Sequence, residues 1–315
     1  MGQAKLRRIE IGRGPCLCGD GLIAAECCFD GRGWHRKPAI IRLSGETGFS
    51  HKDCYLRELG NCSDKISREH LVSEAVLRVI YKDGLLASGL PWMKEGDHKI
   101  GLNTIVGKCL CTAHNSALSP LDATAAKFFA ALEDCDLHRE GESRRYLFNG
   151  HDIERWLLKT LAGFSASTGL RSNGERLSGS FHPAVSVAQM LEDSSVWPAT
   201  SGLYFTQKLG KTFSRGDHFR FAPLSNEAGE LAGLLVSIQG FQFSCLAVPT
   251  QATPELAKKN GVYRPERIVF RMPKVTNMIE LSWESPSRRI QITATFEMTE
   301  AERRARGLPR PKNTV

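Results

Sequence analysis

Residues 54–70 read CYLRELGNCSDKISREH and residues 109–122 read CLCTAHNSALSPLD. Cys54 and Cys62 enclose seven residues, and Cys111 and His114 enclose two. Zinc is held tetrahedrally by four sulfur or nitrogen ligands, so these four form a Cys3His set suited to a structural site. Cys109 competes with Cys111 for the third place, and the two-residue spacing to His114 favours Cys111. A helical pattern starts just downstream, as expected after a knuckle. Glu69 and His70 lie between the two pairs, and Asn115 follows the second pair directly.

A second cluster lies nearer the N-terminus, where residues 15–28 read PCLCGDGLIAAECC. Cys16, Cys18, Cys27 and Cys28 supply four thiolates for one Zn²⁺, and such a site folds a segment that has little core of its own. Gly19 and Gly21 permit a tight turn beside the sulfurs. Eight of the ten cysteines fall in these two groups. Cys135 and Cys245 sit in apolar runs and read as core residues. Clustered cysteines in a reducing compartment point to metal and not to disulfides.

The 315 residues are 41% apolar and 24% charged, an ordinary soluble composition. No run of eighteen apolar residues occurs, which argues against a membrane partner. The basic N-terminus lacks the apolar centre of a signal peptide, so the expected location is cytoplasmic. A net charge of +8 is compatible with a polyanionic partner.

The chain reads as α+β. A small zinc knuckle (1–40) precedes a zinc-framed region (41–135), a helical linker (136–200), a C-terminal antiparallel β-rich region (201–300) and a basic tail (301–315). Apolar spacings of three and four predict helices over 121–135 and 151–167, with Asp152 as a cap or first-turn acid, and a short one over 186–193. Strand-like runs fall at 201–207, 218–224, 230–248, 267–273, 278–283 and 288–298. Arg220, Arg264, Arg267, Arg271, Arg288 and Arg289 lie beside aromatic residues and suggest a basic face on this sheet, or an ordinary charged outer surface. Ser67 and Ser73 read as turn or surface groups, and Trp156 as core.

The arrangement Cys-x-Cys-Gly-x-Gly, five residues, Cys-Cys resembles the SEC-C zinc motif over residues 14–30. Asp20 replaces the usual serine, and LIAAE stands where lysines are usual. The resemblance implies a zinc-bound docking element and a protein partner. Residues 52–130 resemble the HNH endonuclease family, whose treble-clef-like ββα-metal fold is often framed by two knuckles. Glu69-His70 matches its acid–histidine pair on the first strand, and His114-Asn115 its second motif. The gap between His70 and Cys109 and the wide first knuckle depart from compact members.

The resemblance implies a metal-dependent endonuclease, with DNA as the expected substrate and a bacterial defence role by analogy. His70 would be the general base, a task that suits an imidazole near neutral pH. Glu69, Asn115 and Asp122 would hold Mg²⁺ or another divalent cation through oxygen. Asn115 and Asp122 are seven residues apart, two helical turns, and share a face. Each residue also has a plainer reading. Glu69 can pair with Arg68, Asn115 can cap the helix, and Asp122 can be a first-turn acid. The rival for the whole chain is a non-catalytic, zinc-stabilised nucleic-acid-binding or protein-docking module.

Overall fold

The computed structural model describes residues 3–43, 45, 47–80, 85–88, 98–101, 103, 105–167, 171–172, 175–176, 181–205, 218–226, 230–238, 240–249, 261–272, 274–284 and 291–294. The expected basic tail (301–315), Arg288 and Arg289 lie outside these residues. In chain order the elements are α1 (Gln3–Arg13), α2 (Ala24–Cys27), β1 (Glu69–His70), α3 (Glu74–Ile80), β2 (Leu85–Ser88), β3 (His98–Ile100), β4 (Val106–Gly107) and α4 (Thr112–Leu137). There follow β5 (Arg145–Asn149), α5 (Gly150–Ala166), β6 (Arg171–Ser172), β7 (Glu175–Arg176), α6 (Val187–Glu192), β8 (Gly202–Phe205), β9 (His218–Ser225) and β10 (Leu231–Ile238). The last are β11 (Phe241–Leu246), β12 (Val262–Tyr263), β13 (Arg267–Arg271), β14 (Thr276–Ser282) and β15 (Gln291–Ala294).

The chain is a mixed α+β structure with several sheets. A seven-stranded sheet runs β12-β8-β11-β10-β9-β2-β3, and a four-stranded sheet runs β15-β13-β14-β5. Strands β8 to β12 pair antiparallel, as expected of this region. Three pairings are parallel: β2 with β9, β13 with β15, and β14 with β5. The C-terminal region is therefore not purely antiparallel. It is also not self-contained, because β2, β3 and β5 come from earlier segments. One hydrophobic core extends from Ile41 to Trp283 and draws on the zinc-framed region, the linker and the β-rich region alike.

Helix α5 explains this. It was expected to lie in a linker, yet every residue from Gly150 to Ser165 is buried. It packs on α4, α6, β5, β8, β10 and β11. Trp156 is fully buried, as its apolar spacing implied, and meets Phe129 edge-on at 5.5 Å. Each such aromatic contributes about 1.5–3 kcal/mol by leaving water. The charged residues of α5 are buried too and find partners. Asp152 bonds Arg155 and the Ala39 amide, and Arg155 donates to the Leu191 and Ala39 carbonyls. Asp152 is thus a first-turn acid and not the cap. Asn149 caps α5, accepting from the His151 amide at 2.9 Å. Glu154 accepts from His151, Arg264 and the Leu203 amide at 2.7–2.9 Å. Arg264, expected on an outer basic face, turns inward instead, at a φ of 43° and over the Tyr263 and Trp283 rings.

Candidate metal centres and the Glu69–Lys159–Asp122 group

The N-terminal knuckle has almost no core. Cys16 and Cys28 pack with Leu147 of β5, and Ala24 and Phe29 are also buried. Its four sulfurs converge, with Cys16–Cys18, Cys18–Cys27 and Cys27–Cys28 separations of 3.3, 3.4 and 3.5 Å. A Zn–S length of about 2.3 Å puts tetrahedral sulfurs about 3.8 Å apart, so the donor set fits one zinc ion. Gly19 and Gly21 take φ values of 77° and 79°, conformations that side chains disfavour. Burial, followed by the neighbouring sulfurs, pushes the Cys18 thiol up to about 12, so a bound cation is what would let the four ionise together. The knuckle is docked on the body: the Leu147 amide donates to the Leu17 carbonyl at 3.2 Å, and the Arg36 guanidinium donates to the Cys18 carbonyl at 3.1 Å.

The second cluster joins the two sequence pairs. His114 Nδ1 lies 3.2, 3.4 and 3.9 Å from the sulfurs of Cys111, Cys54 and Cys62. All four ligand atoms fall within 4.8 Å of one another, and all four residues are buried. This set also fits zinc. Cys109 is buried outside it, so Cys111 is the ligand, as the spacing to His114 implied. The other imidazole nitrogen of His114 sits 2.6 Å from Asn61 Oδ1, which holds it as a donor and leaves Nδ1 free for metal. Burial lowers the His114 pKa and favours the neutral ligand form. Ser63 ties the halves together by accepting from the Ala113 amide at 3.1 Å, one of the open donors at the start of α4.

Between these ligands, β1 pairs antiparallel with β4, Glu69 opposite Gly107 and His70 opposite Val106. Helix α4 begins five residues after β4. Glu69 and His70 therefore sit on a two-stranded unit fastened to a helix by the Cys3His cluster. Glu69 is buried, and its Oε1 lies 2.7 Å from Lys159 Nζ. The same ammonium lies 2.6 Å from Asp122 Oδ2. The other Asp122 oxygen accepts from Ser73, which itself accepts from the Trp156 indole N–H at 2.6 Å. Ser73 is buried, so it is not the turn or surface group its sequence suggested.

Burial raises the Glu69 pKa, with Lys159 acting against it and Asp122 with it. Burial lowers that of Lys159, but Asp122 and Glu69 outweigh this and hold it above its usual value. The structure thus brings Glu69 and Asp122 together, but about an ammonium. With Lys159 between them, the residues present do not fit a divalent cation at this pair. Glu69 pairs with Lys159 and not with Arg68, and Asp122 lies well inside α4, not in its first turn. Asn115 is inside α4 and is not its cap, a place taken by Cys111. His70 Nε2 is buried without a hydrogen-bond partner among the described residues, while Nδ1 lies 3.8 Å from Glu74. The Tyr55 hydroxyl is likewise buried and unpartnered. Its pKa is raised by burial and then by Cys109 and Glu69, which places it near the same group.

No family model, no curated protein and no solved structure matches this chain. None of the helices described is long and apolar enough to cross a membrane. Sequence reasoning missed Lys159, Tyr55, Asn61 and Ser63. Of these, only Lys159 carried a signal, as a charged residue among apolar neighbours in WLLKTLAGF.

Proposed function

We propose that the chain is an HNH-type endonuclease that hydrolyses phosphodiester bonds of DNA, with His70 as general base. One observation carries this reading. His70 stands on a β1–β4 pair leading into α4, the start of α4 carries two ligands of the Cys3His cluster, and His70 Nε2 has no hydrogen-bond partner among the described residues. A neutral imidazole there accepts a proton from water as the oxygen attacks phosphorus, and the bond to the leaving oxygen breaks. Exposed Arg68 and Lys108 flank the two strands and offer cationic charge for the phosphate. Lys159 holds Glu69 and Asp122, the two carboxylates the resemblance assigns to a divalent ion. Two structural zinc ions and a DNA partner belong to this reading, as does a cytoplasmic location. A protein partner at the SEC-C-like knuckle is a further part of it.

The Lys159 ammonium favours a second reading, in which the zinc-framed unit binds nucleic acid or protein without cleaving it. Incubation with supercoiled plasmid, in EDTA and in Mg²⁺, separates the two. Nicked circles support the nuclease. Salt-sensitive binding with the plasmid and a parallel RNA left intact supports the module.

A further inference from the structure

We infer that Lys159 is the resident cation of the Glu69–Asp122 pair, and that the pair takes no hard divalent ion while this lysine is in place. The ammonium lies 2.7 and 2.6 Å from one oxygen of each carboxylate. Mg²⁺ needs oxygen ligands at about 2.0–2.1 Å and Ca²⁺ at about 2.3–2.6 Å, so an ion bridging the same two oxygens would share the ammonium's volume.

The lysine is not a mobile surface arm. It is 5% exposed and belongs to a helix buried along its length. The carboxylates are fixed as well. Trp156 donates to Ser73 and Ser73 to Asp122, which sets the pair from behind, while β1 sets Glu69. A neutral side chain at position 159 would leave two converging carboxylates, a donor set for oxygen-seeking cations such as Mg²⁺, Mn²⁺, Ca²⁺ or a lanthanide.

The inference concerns the site of the proposed nuclease and rests on reading Glu69 and Asp122 as that site's acids. Ion occupancy is measured without cleavage, so the two can fail separately. The test uses the full zinc-loaded chain with Tb³⁺ as the probe, excited through tryptophan, since Trp156 stands directly behind Asp122. Wild type gives no saturable sensitised emission. Lys159→Met gains a saturable emission, and adding Asp122→Asn abolishes it. Saturable emission from wild type that disappears in Asp122→Asn overturns the inference. So does silence from a Lys159→Met protein that keeps its zinc and its far-ultraviolet circular dichroism. A second measurement follows the His70 ring signals, which stay sharp when Mn²⁺ is added to wild type. Selective broadening that Asp122→Asn removes means that the ion enters beside Lys159, and the inference is lost.

Discussion

Replacing Lys159 by methionine keeps the stem of the side chain but removes the charge. Two carboxylates are then left facing each other, one of them hydrogen-bonded from behind by Ser73. The lysine is 5% exposed, so water screens the group little in the native protein. Breaking a buried ion pair from one side costs about 3–5 kcal/mol, against about 0–1 kcal/mol for an exposed pair. The loss is read from denaturant midpoints of the zinc-loaded proteins. Its pH dependence has a definite sign. Burial already raises the Glu69 pKa, and the variant loses the lysine that opposed the rise. A carboxyl raised in the folded state is penalised once it ionises. The deficit is therefore full at neutral pH and shrinks as acid protonates the pair. Acid also weakens zinc binding in both proteins, so the difference between them is the quantity to follow. Adding Glu69→Gln and Asp122→Asn recovers most of the stability at pH 7. A deficit under about 1 kcal/mol, or one that does not vary with pH, refutes the buried group as described.

Asn61→Ala frees the outer nitrogen of His114 and weakens zinc binding at the Cys3His cluster by about 10–100-fold, measured by chelator competition. Cys28→Ser lowers zinc content from two ions to one and exposes residues 14–35 to hydrogen exchange, while the second cluster keeps its metal. Burial raises the Glu154 pKa, but His151 and Arg264 outweigh this and bring it below 4.5. Its stabilisation is therefore present above about that pH and is lost as pH falls through the lowered value. Glu154→Gln costs about 3–5 kcal/mol at pH 7, and the gap to wild type closes in acid-unfolding curves. Gly202 has a φ of 131°, and a Cβ there would collide with Glu154 Oε1, so Gly202→Ala destabilises by more than 1 kcal/mol in thermal melts.

Both metal clusters were legible because their signal is local. Cysteine spacing, paired glycines and the Cys-x2-His step each report on a few neighbouring residues. The run 230–248 was legible as β-rich, but it folds as two strands, β10 and β11, that pair antiparallel. What could not be read is whatever joins distant segments. The β5–β14 pairing aligns Arg145 with Met278, and β2–β9 aligns Leu86 with His218. Parallel pairings of this kind leave no turn signature. Lys159 meets Glu69 across ninety positions, and nothing near either residue announces the other. Glu69 and Asp122 lie together, but about a lysine from a helix whose apolar pattern suggested only core.

The central claim is that the zinc-fastened β1–β4–α4 unit presents His70 as the base for phosphodiester hydrolysis. Plasmid cleavage by His70→Ala, measured beside wild type with zinc content determined on the same samples, tests it most directly. The account predicts two zinc ions per chain in both proteins, with cleavage by wild type and none by the variant. A His70→Ala protein that nicks DNA at the wild-type rate, or a fully zinc-loaded wild type that cleaves nothing, contradicts it.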